Sequence, residues 1–272
     1  MTRSDLIEQI QLKNSLLCVG LDSDIERIPH HLKTKQDPVF EFNKAIIDAT
    51  HSHCVSYKIN TAFYESQGVK GWQSLEKTID YINENYPDHF TIADAKRGDI
   101  GNTADQYAKA FFEAMDFNAV TVAPYMGSDS ILPFLKYSDK FTIVLGLTSN
   151  ASASEFQMHG EHYPMYKEVL SKTATYAHSE RLMYVVGATK AEALSEIREI
   201  LPNHFLLIPG VGAQGGSLKE VVHHGLTKDY GLLINSSRGV IFASEGEDFA
   251  IKAKEAAADL HKQMSTLLQE SI

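Results

Sequence analysis

"FTIADAKRGDIGNTADQYAKAFFEAM", residues 90–115, changes its periodicity in the middle. Over 90–96 the pattern alternates as a strand does, with Ala93 and Ala95 to one side and Asp94 and Lys96 to the other. From Gly101 onward the same stretch takes on a helical pattern. A strand that runs through a short charged turn into a helix is half of a strand–helix–strand unit. Asp94, Lys96, Arg97 and Asp99 all fall at that turn. An acid and an ammonium on one face of a buried strand are costly unless they are paired or used.

The alternation repeats along the chain. Apolar or β-branched runs at 16–22, 55–60, 90–96, 119–125, 141–148, 182–189, 205–211 and 231–237 read as strands. Helical patterns such as "PVFEFNKAIIDATHSH", "GWQSLEKTIDYINENY" and "KAEALSEIREIL" lie between them. A helix over about 2–14 opens the chain and one over about 247–270 closes it. Continuously apolar strands that alternate with helices imply parallel strands covered by those helices. A count of eight favours a closed (β/α)8 TIM barrel over an open doubly wound sheet. With no linker, low-complexity tract or composition break, residues 1–272 read as a single α/β domain.

Composition narrows the function. The chain has 272 residues, 43% of them hydrophobic, and a formal net charge of −10. It can bury a full core, and its acidity disfavours nonspecific binding to nucleic acid or to an anionic membrane surface. Cys18 and Cys54 are the only cysteines, too few for a disulfide framework and suited to a reducing compartment. The polar, amphipathic N-terminus lacks the apolar stretch of a signal peptide, and no run approaches the roughly 20 apolar residues of a membrane helix. The expectation is a soluble, cytoplasmic protein.

In a barrel the chemistry sits at the carboxyl ends of the strands. Those ends carry Asp22, Lys58 with Asn60, Asp94 with Lys96, Pro124 with Tyr125, Thr148 with Ser149, Thr189, Pro209, and Ser237 with Arg238. Asp22, Lys58, Asp94, Lys96 and Asp99 would converge into a row of alternating charge that partly neutralises itself. Such a row serves either as a structural ion-pair network or as a way of holding a lysine and its protons beside a reacting carbon. Five charged residues at one rim favour the second use. The polar segment "TSNASASEFQMHGEHY" (148–163) lies in a stretch, 138–181, longer than one strand–helix loop requires, and suggests a loop over the barrel mouth. After strand seven, Gly210, Gly212, Gly215 and Gly216 let backbone N–H groups approach an anion, and "SLKEVVHHG" then begins a helix. Arg238, after strand eight, adds a planar fork for phosphate oxygens.

"HSHC" (51–54) offers His51, His53 and Cys54, but ligands two residues apart do not share a helix face, so zinc is not expected there. The His pairs at 30–31 and 223–224 read as surface, and Cys18 as a small buried residue of the first strand.

"DAKRGDIGNT" (94–103) resembles the signature of orotidine 5′-phosphate decarboxylases, which convert orotidine monophosphate to UMP. "LLCVGLD", "YKINTAFYE", "VTVAPYMG", "GLTSN" and "IPGVGAQGG" follow in family order between residues 16 and 216, and the likeness runs on to about 242. The spacing and "GLTSN" are similar to the longer bacterial branch, type 2. The resemblance implies that Lys96 protonates carbon six of the pyrimidine after carbon dioxide leaves. Asp94 would face the departing carboxylate, with Lys58 and Asp99 completing the row. It also implies that Asp99 and Thr103 reach into a neighbouring subunit's site, making a homodimer with shared active sites. Asp22 matches the residue that binds a ribose hydroxyl. Thr148 or Ser149 stands at the pyrimidine-contacting hydroxyl, Thr148 being preferred. Gln214 and Arg238 match the phosphate-binding pair, with Pro209, Gly215 and Ser237 beside them as substrate-binding residues. No cofactor and no metal are implied, and the small-molecule substrate is orotidine 5′-phosphate. The alternatives are a Mg²⁺-dependent phosphosugar decarboxylase or aldolase of the same barrel group, which would need an acid where Lys58 stands, and a noncatalytic nucleotide-phosphate-binding protein.

Overall fold

Each expected strand forms: β1 (Leu17–Gly20), β2 (Ser56–Asn60), β3 (Phe90–Arg97), β4 (Ala119–Val122), β5 (Phe141–Leu147), β6 (Leu182–Val186), β7 (Leu206–Pro209) and β8 (Leu232–Ser236). In the computed structural model, which describes residues 1–161, 163–188, 192–211 and 216–271, they make one closed parallel barrel in sequence order. Closure comes from β1 pairing with β8, Leu17 standing opposite Ile234. The ladders are shorter than the apolar runs, because the chain leaves the sheet for the loops before the run ends. Only β3 extends beyond its expected range, by one residue to Arg97.

β3 also departs from the strict alternation expected over 90–96. Between the pairs Ala93↔Val120 and Arg97↔Val122 it advances four residues while β4 advances two. The excess forms a bulge, and Lys96 takes φ 46°, in the left-handed region. A bulge re-aims the side chains of its strand. A non-glycine residue held left-handed costs on the order of 1–3 kcal/mol, tolerated where the surroundings over-determine it. Arg97 supplies part of that hold: its Nη1 donates to Ala95 O at 2.8 Å and its guanidinium lies 5.1 Å from the Tyr107 ring and 5.3 Å from the Phe111 ring.

The helices cover the barrel through apolar stripes. Helix Pro38–Thr50 begins with proline in its first turn, its N-cap Asp37 accepts from Phe40 N, and it buries Val39, Phe42, Ile46 and Ile47 at helical spacing. Helix Phe249–Ser271, which closes the chain, packs on it and buries Phe249, Ala253, Ala257, Met264 and Leu268. Helix Arg3–Lys13 opens the chain with a capping box at Thr2 and Asp5. The expected long excursion between β5 and β6 contains a single turn, Ala153–Phe156, and helix Met165–Ala174, which buries Tyr166 and Leu170. Among the described residues no helix is long and apolar enough to cross a membrane.

Candidate active site

Lys58 projects from β2 between two acids. Its Nζ donates to Asp22 Oδ1 and to Asp94 Oδ2, each at 3.1 Å. Lys96 Nζ then donates to the other oxygen, Asp94 Oδ1, at 2.6 Å. The row thus runs Asp22–Lys58–Asp94–Lys96 across the ends of three neighbouring strands. The side chains of Lys58 and Asp94 are only 5% and 11% exposed, whereas that of Lys96 is 50% exposed. Its buried end is locked and its open end is an ammonium facing the cavity.

The charges in the row hold one another ionised. Burial would lower the pKa of Lys58, but Asp22 and then Asp94 raise it well above the ordinary lysine value. Burial would likewise raise that of Asp94, yet Lys58 and Lys96 hold its carboxyl well below the usual range. Asp94 is therefore a carboxylate, and Lys58 an ammonium, throughout the neutral range.

The row forms one wall of a cavity of about 490 Å³ at the carboxyl end of the barrel. Asn60, Thr148, Ser149, Pro209, Ser237 and Arg238 line it as well, with Leu145, Val185 and Leu207 supplying apolar surface. A row of alternating charge, an apolar section and a guanidinium in one cavity suit a flat heterocycle joined to an anionic group. Thr148 is held from the loop that follows it: its N–H donates to Gln157 Oε1 at 2.8 Å and its Oγ1 accepts from Gln157 Nε2 at 2.7 Å. The amide and the hydroxyl of Thr148 thus both meet the Gln157 carboxamide of the expected mouth loop, and the hydroxyl in turn donates to Asn150 Oδ1 at 2.6 Å. Gly210 takes φ 95°, a conformation that glycine adopts without strain. Ser217 caps helix Leu218–Gly225, the helix expected after strand seven.

Not every expected residue joins this cavity. Asp99 stands outside its lining, where Oδ1 accepts from Ile100 N at 2.8 Å, so within one chain the row has four members rather than five. The cause is geometric: the strand ends at Arg97 and the chain turns away before Asp99. Thr103 is exposed on helix Gly101–Lys109, also outside the lining. Thr189, Gly212, Gln214 and Gly215 lie outside the described residues. Thr121 and Gln157 are among the contributors not apparent from the sequence, as are Asn150, Asn235 and Ser236 in the lining. Thr121, in β4, donates to Asp94 Oδ1 at 3.0 Å and accepts from Lys96 N at 2.9 Å. Its only signal was one hydroxyl within the apolar run "AVTV". Gln157 had no signal beyond lying in the mouth loop. In the segment 51–54, His51 stacks with Tyr86, His53 pairs with His261, and among the described residues no group of three or more His, Cys, Asp or Glu is placed to hold a metal.

The chain is similar to known proteins along nearly its whole length. A family model described as "Orotidine 5′-phosphate decarboxylase / HUMPS family" matches residues 15–253. The chain is 59% identical over 269 residues to the orotidine 5′-phosphate decarboxylase of Flavobacterium johnsoniae, covering 98% of each. It is 57% identical over 271 residues to that of Christiangramia forsetii, covering 99% of this chain and 100% of the relative. The solved structure of Leishmania donovani OMP decarboxylase is similar with a TM-score of 0.82 and 34% identity, covering 98% of this chain and 99% of that one.

Proposed function

This chain belongs to the orotidine 5′-phosphate decarboxylase / HUMPS family, and from that premise we propose that it converts orotidine 5′-phosphate to UMP without an organic cofactor or metal. The observation that supports this reading best is the row Asp22–Lys58–Asp94–Lys96, buried at one end and open to the cavity at the ammonium of Lys96. Loss of carbon dioxide breaks the bond from carbon six to the carboxylate and leaves the electron pair on carbon six. Lys96 Nζ gives that carbon a proton and is recharged from water. A fixed cation in a preorganised site stabilises such charge better than mobile solvent does. Asp94, kept anionic by its two lysines, faces the substrate carboxylate and adds a smaller contribution by repulsion.

Asp22 takes a ribose hydroxyl and Thr148 the pyrimidine edge, with Ser149 beside it. Arg238 and Gln214 bind the phosphate, assisted by Pro209, Gly215 and Ser237. The remote phosphate supplies binding energy that orients the reacting ring. Asp99 and Thr103, outside this chain's own cavity, complete the site of a second copy, so the working unit is a homodimer with shared sites in the cytoplasm. Both cysteines are buried and free, as a reducing compartment permits. A phosphosugar enzyme of the same family would need a metal-binding acid at the place of Lys58; instead, the Lys58 ammonium fills the space between Asp22 and Asp94.

The test is the disappearance of orotidine monophosphate absorbance. Wild-type protein turns over in the presence of a chelator. Lys96→Ala loses roughly 10²- to 10⁴-fold or more in kcat, the range for a lost general acid, yet still binds UMP. Near-native turnover by Lys96→Ala would refute the assignment.

A further inference from the structure

We propose that Thr121 is a positioning residue, one that sets where the ammonium of Lys96 stands without itself touching substrate. The inference rests on the decarboxylase reading, in which Lys96 delivers the proton. Thr121 is fully buried in β4 and is not part of the cavity lining. Its hydroxyl nevertheless joins both ends of the pair that is.

The bulge in β3 carries Lys96 out of the regular ladder, and its N–H donates to Thr121 Oγ1 at 2.9 Å. The same oxygen donates its hydrogen to Asp94 Oδ1 at 3.0 Å, and that carboxylate oxygen holds Lys96 Nζ at 2.6 Å. A closed loop results: backbone nitrogen of Lys96, hydroxyl of Thr121, carboxylate of Asp94, and back to the ammonium of Lys96. The root and the tip of one long, flexible side chain are thereby tied to a single stiff one. The stiffness is chemical, because a β-branched threonine in a strand has restricted χ1.

A role in barrel stability alone does not account for the hydroxyl. β4 reads Ala119–Val120–Thr121–Val122, and a valine at 121 would suit an apolar strand while avoiding the burial of a polar atom. What valine cannot do is accept from a left-handed Lys96 and donate to Asp94 at once.

The experiment compares wild type, Thr121→Val and Thr121→Ser in kcat, KM, UMP affinity and thermal stability. Thr121→Val should lose roughly 10- to 100-fold in kcat, as expected of a reacting group displaced by a fraction of an ångström to one ångström. Its KM and UMP affinity should stay within about 2-fold, and Thr121→Ser should recover most of the loss. If Thr121→Val does not fold, Thr121→Cys, of similar size and with a far weaker donor and acceptor, is read in the same way. Unchanged kcat in the variant, a parallel fall in kcat, UMP affinity and melting temperature, or failure of serine to rescue would each overturn the proposal. The wild-type assay separates the two ideas. An inactive wild type removes the decarboxylase reading and this one with it, whereas an active wild type beside a fully active Thr121→Val removes this one alone.

Discussion

Lys58 bears on stability as much as on chemistry, since it stands between two acids that would otherwise repel each other. The depressed pKa of Asp94 adds stability that is present above the ordinary carboxylate value of 3.8 and is lost as pH falls through its lower folded value. The raised pKa of Lys58 adds stability that is present below the ordinary lysine value of 10.5 and is lost only as pH rises beyond it. Lys58→Met keeps the volume and removes the cation. Urea denaturation should show a loss of about 3–5 kcal/mol at neutral pH, the usual cost of removing one partner of a buried ion pair. With its main counter-charge gone, the folded-state pKa of Asp94 rises and the native state takes up that proton more readily, so the deficit of the variant against wild type shrinks as pH falls through the carboxylate range. A deficit that stays undiminished at acid pH would contradict this account. Gly20 makes a smaller demand at the same scale. A Cβ there would run into Ser237 Oγ and lie 2.9 Å from Ser237 Cβ. Gly20→Ala should cost about 1–3 kcal/mol through overpacking and weaken UMP binding by displacing Ser237 from the cavity wall.

Elements are tied together by a few polar residues that the hydrophobic pattern does not display. Asp37 accepts from Phe40 N at 3.2 Å in the helix it caps, and from Ser74 Oγ at 2.7 Å and Lys77 Nζ at 2.9 Å in helix Gly68–Asn85. Asp37→Ala should therefore lower stability by about 1–2 kcal/mol while leaving KM unchanged, as a helix cap remote from the cavity would. Gln157 ties the loop after β5 back to Thr148, the residue that follows the strand. Removing its carboxamide in Gln157→Ala frees the Thr148 amide, and hydrogen exchange at that amide should quicken roughly 2- to 10-fold, the equivalent of one net hydrogen bond. Unchanged exchange would mean that the loop is held elsewhere.

The barrel as a whole gathers residues from separate strands at one rim, and it also limits what one chain assembles. Asp99 and Thr103 lie beyond the cavity that Lys96 faces. If they serve a partner's cavity, two inactive variants, Lys96→Ala and Asp99→Ala, should restore activity when mixed and allowed to exchange subunits. Random pairing puts both lesions in one site of each mixed dimer and leaves the other intact, so about a quarter of wild-type activity returns. No recovery after proven subunit exchange would place both residues in one chain's site, or in none.

Much of the architecture was legible along the chain because its signals are local. The alternation of apolar strands and amphipathic helices implied the barrel, and the barrel's own geometry brought Asp22, Lys58, Asp94 and Lys96 to one end. "DAKRGDIGNT" carried the family likeness in ten consecutive residues. Tertiary structure alone decided the rest. The bulge that turns Lys96 left-handed, the Thr121 hydroxyl between Lys96 and Asp94, and the Gln157 carboxamide on Thr148 each depend on how one segment lies against another. Hydrophobic period reports which face of an element is buried. It does not report the register between elements, and register decides which polar atoms come within hydrogen-bonding distance.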